Sequence, residues 1–132
     1  MSALSPRQTF LLDEACKPIR QAFRTPPYLV GTASQPRGDR APRDVDVRLI
    51  VDDELYDQLA AITNTAGLLP FLGLATGEYL AARTGLPIDF QIQRQTEANA
   101  NHSGPRNPLG VRSLADYSGD AAPTPGAGDE NG

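Results

Sequence analysis

The sequence predicts an α/β domain of the α+β kind, in which a small mixed sheet of at least three strands carries helices on one face. Apolar residues recur at helical spacing in three segments, and three shorter apolar segments are bounded by glycine or proline. This regularity stops near residue 97. We therefore expect one folded domain over residues 1–97 and a disordered or loosely docked tail over residues 98–132.

The first helix is expected over residues 6–23. Ser5 is a suitable N-cap, and Pro6 suits the first helical turn. Proline has no backbone N–H, but N–H groups in the first turn have no partner within the helix. The helix should end before Pro26 and Pro27. Its apolar stripe comprises Leu11, Ala15, Ile19, Ala22 and Phe23.

Three segments have the composition of strands. Tyr28-Leu29-Val30 is a short apolar strand that ends at Gly31, and residues 43–51 form a second strand with alternating apolar and charged residues. The third strand runs from Ile88 to Gln93, again with one polar face.

Two helices are predicted between the second and third strands. Asp52, Asp53 and Glu54 suit the first turn of a helix, where they complement its dipole, so we interpret them as a cap. The second of the two helices should end at Gly85. The apolar positions that define this pair of helices are Leu55, Leu59 and Ile62, then Leu68, Leu72, Ala75, Tyr79 and Ala82.

Composition excludes several classes of protein. A net charge of -4 argues against a nucleic-acid coat or packaging protein, and the single cysteine, Cys16, excludes an internal disulfide. No apolar run reaches the ~18 residues that a transmembrane helix needs, and the N-terminus lacks the pattern of a signal peptide. We expect a cytoplasmic protein.

Three aspartates are the candidate catalytic residues. Strand side chains alternate, so Asp44 and Asp46 share one face of the second strand, and Asp89 lies on the polar side of the third. If the strands are neighbours, the three carboxylates lie close together. Carboxylates at such a distance repel each other unless a positive charge, such as a divalent cation, neutralises them. The same polar sides carry Arg48, Gln91 and Gln93, which either orient a carboxylate, position a base or solvate the sheet.

The order of these features resembles the polymerase β-like nucleotidyltransferase superfamily, particularly its small single-domain bacterial and phage members. The shared pattern is an apolar strand, a glycine followed by a small hydroxyl residue, two alternating acids, and a third acid between hydrophobic residues. The resemblance covers about residues 10–97, which makes residues 1–97 a nucleotidyltransferase-like domain, and it departs mildly at Thr32, where serine or glycine is usual.

The resemblance implies a chemistry and a set of ligands. It implies two Mg²⁺ ions, with Mn²⁺ as the alternative, held by the three aspartates, and a nucleoside triphosphate held by residues around the glycine turn. The residues expected to bind the triphosphate are Gly31, Thr32, Ser34 and Arg43.

The function implied is transfer of a nucleoside monophosphate from the triphosphate to an acceptor hydroxyl, with release of pyrophosphate. The acceptor is left open between tRNA, a protein and a small molecule, and a homo-oligomer or a partner protein is expected to complete its site. The alternative is a non-catalytic nucleotide-binding or partner-regulating module with the same fold.

Overall fold

The computed structural model of the chain describes residues 4–31, 44–63, 66–101 and 104–112. These residues form a mixed four-stranded sheet in the order β3-β2-β1-β4, with β2 and β3 parallel and the other pairs antiparallel. The α+β prediction is confirmed. The elements are α1 (Pro6–Phe23), β1 (Tyr28–Val30), β2 (Val45–Val51), α2 (Asp53–Ala61), α3 (Leu68–Thr84), β3 (Ile88–Arg94), α4 (Gln95–Asn101) and β4 (Asn107–Pro108).

The helix ends follow from local chemistry. Ser5 and Gln8 form a reciprocal capping box at the start of α1, and the Asp52 side chain accepts a hydrogen bond from the backbone N–H of Leu55 at the start of α2. Helix α3 ends at Gly85, which has φ 73°. The predicted caps of the three long helices are thus confirmed, because each depends on residues within one turn.

One face of the sheet forms the hydrophobic core. Val45, Val47 and Leu49 are fully buried on β2 and belong to the same core cluster as residues of α1 and α3. Helix α3 packs closely on β3, since a Cβ at Gly73 would lie 3.3 Å from the Phe90 carbonyl oxygen. Among the helices of the described residues, none is both long and apolar enough to cross a membrane.

The fold continues past the boundary expected at residue 97. Ala98 and Leu109 are each 1% exposed, and β4 pairs with β1 at the edge of the sheet. The final segment is also fixed by Asp13 of α1, which accepts hydrogen bonds from the backbone N–H groups of Gly110 (2.6 Å) and Arg112 (3.1 Å). The domain therefore extends at least to residue 112, and residues 113–132 of the expected tail lie outside the described residues.

Candidate functional site

The register of the two parallel strands places Asp46 directly opposite Asp89. Side chains of directly paired residues point to the same side of a sheet, so both carboxylates leave the face opposite to the core. Their side chains are 30% and 48% exposed. The structure thus brings together two of the three acids that the sequence predicts to act jointly.

Arg48 lies between these two carboxylates. Its Nη2 is 3.8 Å from Oδ1 of Asp46 and 3.4 Å from Oδ2 of Asp89, so one nitrogen is within ion-pair distance of both. The sequence pattern left open whether Arg48 orients a carboxylate, positions a base or only solvates the sheet. The contacts favour the first interpretation.

The guanidinium of Arg48 is held by the backbone as well as by charge. Its Nη1 donates to the carbonyl oxygen of Asp89 (2.7 Å) and to that of Val47 (3.1 Å). The side chain is only 11% exposed, and its Nε is buried without a hydrogen-bond partner among the described residues. Arg48 is therefore a fixed positive charge beside the acid pair.

Gly31 borders the carboxylate of Asp46. The residue follows β1 with φ 74°, and a Cβ placed on it would lie 2.6 Å from Oδ2 of Asp46. Val30, the preceding residue, is paired with Asp46 across the β1–β2 ladder. Two separate constraints therefore favour glycine here, namely a left-handed backbone and a close approach to the carboxylate.

Of the other predicted site residues, the structure describes only Asp44. Asp44 is exposed and lies just before β2. Thr32, Ser34 and Arg43 lie outside the described residues. Among residues 4–31, 44–63, 66–101 and 104–112, no three acidic, histidine or cysteine side chains are grouped closely enough to hold a metal ion.

The chemistry of the acid pair can be compared with the requirements of Mg²⁺. Mg²⁺ in nucleotide sites is bound by one or two carboxylates and takes its other ligands from water and phosphate oxygens. The two carboxylates lie on the same side of the sheet and are partly exposed, so an ion from solution can reach them. The donor atoms of the pair are therefore of the type that Mg²⁺ prefers.

A concave region lies at the other end of β2, away from the acid pair. It is a cavity of about 440 Å³ lined by side chains that include Arg24, Tyr28, Asp52 and Arg106. The Arg106 guanidinium donates to Oδ1 of Asn99 and to the Ala98 carbonyl oxygen. Sequence patterns gave no sign of Arg106, because it lies beyond residue 97 in a segment without apolar periodicity.

The only cysteine has no role in the candidate site. Cys16 is fully buried in α1, and this burial, with the nearby charge of Asp13, raises the pKa of its thiol to about 12. A thiol with this pKa stays protonated near neutral pH, and the protonated form is a poor nucleophile.

Comparison of the chain with protein-family models, with curated proteins and with solved structures finds no match.

Proposed function

We propose that the protein is a metal-dependent nucleotidyltransferase, which moves a nucleoside monophosphate from a nucleoside triphosphate to an acceptor hydroxyl. The observation that carries the proposal is the in-register pair of Asp46 and Asp89 beside Gly31, on the open face of the sheet. The order of these residues along the chain is that of the polymerase β-like superfamily, so geometry and sequence pattern support the same chemistry.

Asp46 and Asp89 would hold Mg²⁺, and Asp44 would complete the set on the grounds of the sequence pattern. When bound, the ion supplies charge stabilisation for the phosphates and lowers the pKa of the attacking hydroxyl. Gly31 lets the backbone pass close to the Asp46 carboxylate, since it has no side chain. The pattern assigns the hydroxyl of Thr32 or Ser34 to the same triphosphate, and Arg43, which precedes the acids in the sequence, is proposed to reach its phosphates.

The reaction is an in-line displacement at phosphorus. The acceptor oxygen forms a bond to the α-phosphorus of the triphosphate, the bond from that phosphorus to the bridging oxygen breaks, and pyrophosphate leaves with the electron pair. Asp89 is the more exposed of the paired carboxylates, and its oxygen would take the proton of the acceptor hydroxyl.

Labelled nucleotides test the reaction directly. The protein is incubated with a cell extract, Mg²⁺ or Mn²⁺, and each ribonucleoside triphosphate labelled either at the α- or at the γ-phosphate. We expect α-label to become attached to an acceptor and γ-label to be released as pyrophosphate. Asp46→Asn and Asp89→Asn should each lower the transfer at least ~100-fold, because each removes a charged ligand of the ion.

The matched control is Glu78→Gln, which neutralises an exposed acid on α3. It should leave transfer unchanged. Equal labelling by the wild type and by Asp46→Asn would contradict the proposal, and transfer of γ-label would indicate a kinase instead.

A non-catalytic nucleotide-binding module is the second candidate. It is favoured by Arg48, which already supplies positive charge to both acids. Calorimetric titration with a non-hydrolysable triphosphate, with and without Mg²⁺, separates the two candidates. An affinity for the triphosphate that is the same with and without Mg²⁺, together with no transfer to any acceptor, would favour the module.

The acceptor is proposed to be a tRNA, a protein or a small molecule, as in other members of the superfamily that the sequence resembles. The α-label experiment distinguishes these three, because nuclease, protease or neither will release the label from its acceptor.

A further inference from the structure

We propose that Arg48 is a positioning residue that acts as the built-in counter-ion of Asp46 and Asp89, and that it couples binding of the divalent cation to binding of the triphosphate. The inference rests on the proposed function, since it takes this acid pair as the metal site. It adds a residue that the pattern shared with the superfamily does not include.

Arg48 is anchored independently of the two carboxylates. Nη1 is hydrogen-bonded to two backbone carbonyl groups, one on β2 and one on β3. Neither of these bonds involves a carboxylate oxygen. The positive charge of Arg48 therefore stays next to the site when a metal ion approaches.

The contacts from Arg48 to the carboxylates are loose. Distances of 3.4 and 3.8 Å exceed the 2.7–2.9 Å of a strong charge-assisted hydrogen bond. Both carboxylates are partly exposed, so an ion from solution can reach them. Arg48 thus holds the acids together electrostatically and leaves them able to coordinate that ion.

The charge of Arg48 acts differently on a bare cation and on a cation with its nucleotide. A guanidinium next to the pair repels a divalent cation and offsets part of the negative charge that attracts it. A triphosphate reverses this balance, because its oxygens add negative charge and extra ligands to the same place. We therefore expect the bare cation to bind weakly and the cation with its nucleotide to bind strongly.

The experiment measures Mn²⁺ binding by electron paramagnetic resonance, with and without a non-hydrolysable triphosphate, for the wild type and for Arg48→Met. Methionine keeps an unbranched apolar stem and carries no charge. We expect Arg48→Met to bind bare Mn²⁺ roughly tenfold more tightly, and its gain in affinity on addition of the triphosphate to be smaller than that of the wild type by roughly the same factor.

The matched control is Arg94→Met, which makes the same change in charge on the neighbouring strand. Arg94 lies five positions along β3 from Asp89 and is paired with Asp57, so its removal should leave both Mn²⁺ affinities unchanged. Arg48→Lys keeps the charge, and it should bind bare Mn²⁺ with nearly the wild-type affinity. If Arg48→Met does not fold, Arg48→Gln carries the same expectation as the uncharged variant.

The outcomes separate this inference from the proposed function. Bare Mn²⁺ affinity that is equal or weaker in the folded uncharged variant overturns the role of Arg48, even if Asp46→Asn abolishes binding. Tighter binding by Arg48→Met without any nucleotidyl transfer supports the role of Arg48 and counts against the enzyme. No specific Mn²⁺ binding by any of these proteins overturns both.

Discussion

At the scale of single residues, Gly31 shows how a position can be restricted twice. Its φ of 74° disfavours any side chain, and the carboxylate of Asp46 occupies the space that a Cβ would need. Gly85 offers a natural comparison, since it has φ 73° and, among the described residues other than its chain neighbours, no atom lies within 4 Å of the place that a Cβ would take. The two glycines therefore separate backbone strain from contact with the site.

We predict that Gly31→Ala weakens Mn²⁺ binding, because the new methyl group must displace the Asp46 carboxylate. The free energy of unfolding should fall by roughly 1–2 kcal/mol from the left-handed backbone alone. Thermal unfolding and Mn²⁺ titration provide the two measurements. Gly85→Ala is the control and should lose similar stability while keeping its Mn²⁺ affinity; parallel losses of affinity in both variants would refute the prediction.

At the scale of elements, a carboxylate of α2 holds the start of α4. Asp53 accepts a hydrogen bond from the backbone N–H of Thr96 (3.0 Å) and a second from its hydroxyl. The hydroxyl bond is the main cause of the lowered pKa of Asp53, which is otherwise near 3.8. Two helices that are far apart in sequence are thus joined by one ionised side chain.

This contact predicts a dependence of stability on pH. Because folding lowers the pKa of Asp53, its contribution is complete above the ordinary value of 3.8 and is lost as the pH falls through the folded-state pKa. Thr96→Val should therefore reduce the free energy of unfolding near neutral pH, and the deficit should shrink in acid. Urea unfolding across this pH range measures it.

Thr84→Val is the control for this experiment. The Thr84 hydroxyl donates to the Leu80 carbonyl oxygen, which does not titrate. The loss in free energy of unfolding caused by Thr84→Val should therefore stay constant with pH. A deficit of Thr96→Val that is equally constant would show that the Asp53 charge is not involved.

At the scale of the whole molecule, Asp13 ties the first helix to the last described segment. It is fully buried, and Arg112 adds an ion pair of 3.2 Å to the two backbone hydrogen bonds already described. Gly110 must approach α1 closely here, since a Cβ on it would lie 3.0 Å from the Cys16 carbonyl oxygen. Residues 110–112 are thereby held against helix α1.

We predict that Asp13→Asn lowers the free energy of unfolding by about 3 kcal/mol, because it breaks a buried ion pair and replaces an acceptor by a donor. Denaturant unfolding measures the loss. Glu14→Gln removes only the partly exposed pair with Lys17 and should cost less than about 1 kcal/mol. Similar losses for the two variants would contradict the role given to Asp13.

Features that depend on neighbouring residues were predictable from the sequence. Helix caps, the buried face of β2 and the shared side of Asp46 and Arg48 all follow from spacing within a few positions. The β4 strand was missed because it has two residues, Asn107 and Pro108, whose composition is typical of a turn. Its place in the sheet comes from pairing with β1.

The candidate site was predictable only in part, because some of its contacts depend on how distant strands pair. Alternation places Asp89 on the polar side of its own strand, but the register against β2 is set by packing of the whole sheet, and a slip of one residue would reverse its face. The contact between Arg48 and the Asp89 backbone depends on that register as well. Local patterns contain no information about it.

The parallel pairing of β2 with β3 has a consequence for how the protein is made. Parallel neighbours need a long connection, and here residues 52–87, with both α2 and α3, separate the two strands. A nascent chain can form the β1–β2 hairpin early, yet it cannot assemble the acid pair until the second half of the domain has left the ribosome. A substitution that unfolds α2 or α3 is therefore expected to separate Asp46 from Asp89, although neither helix contributes a side chain to the pair.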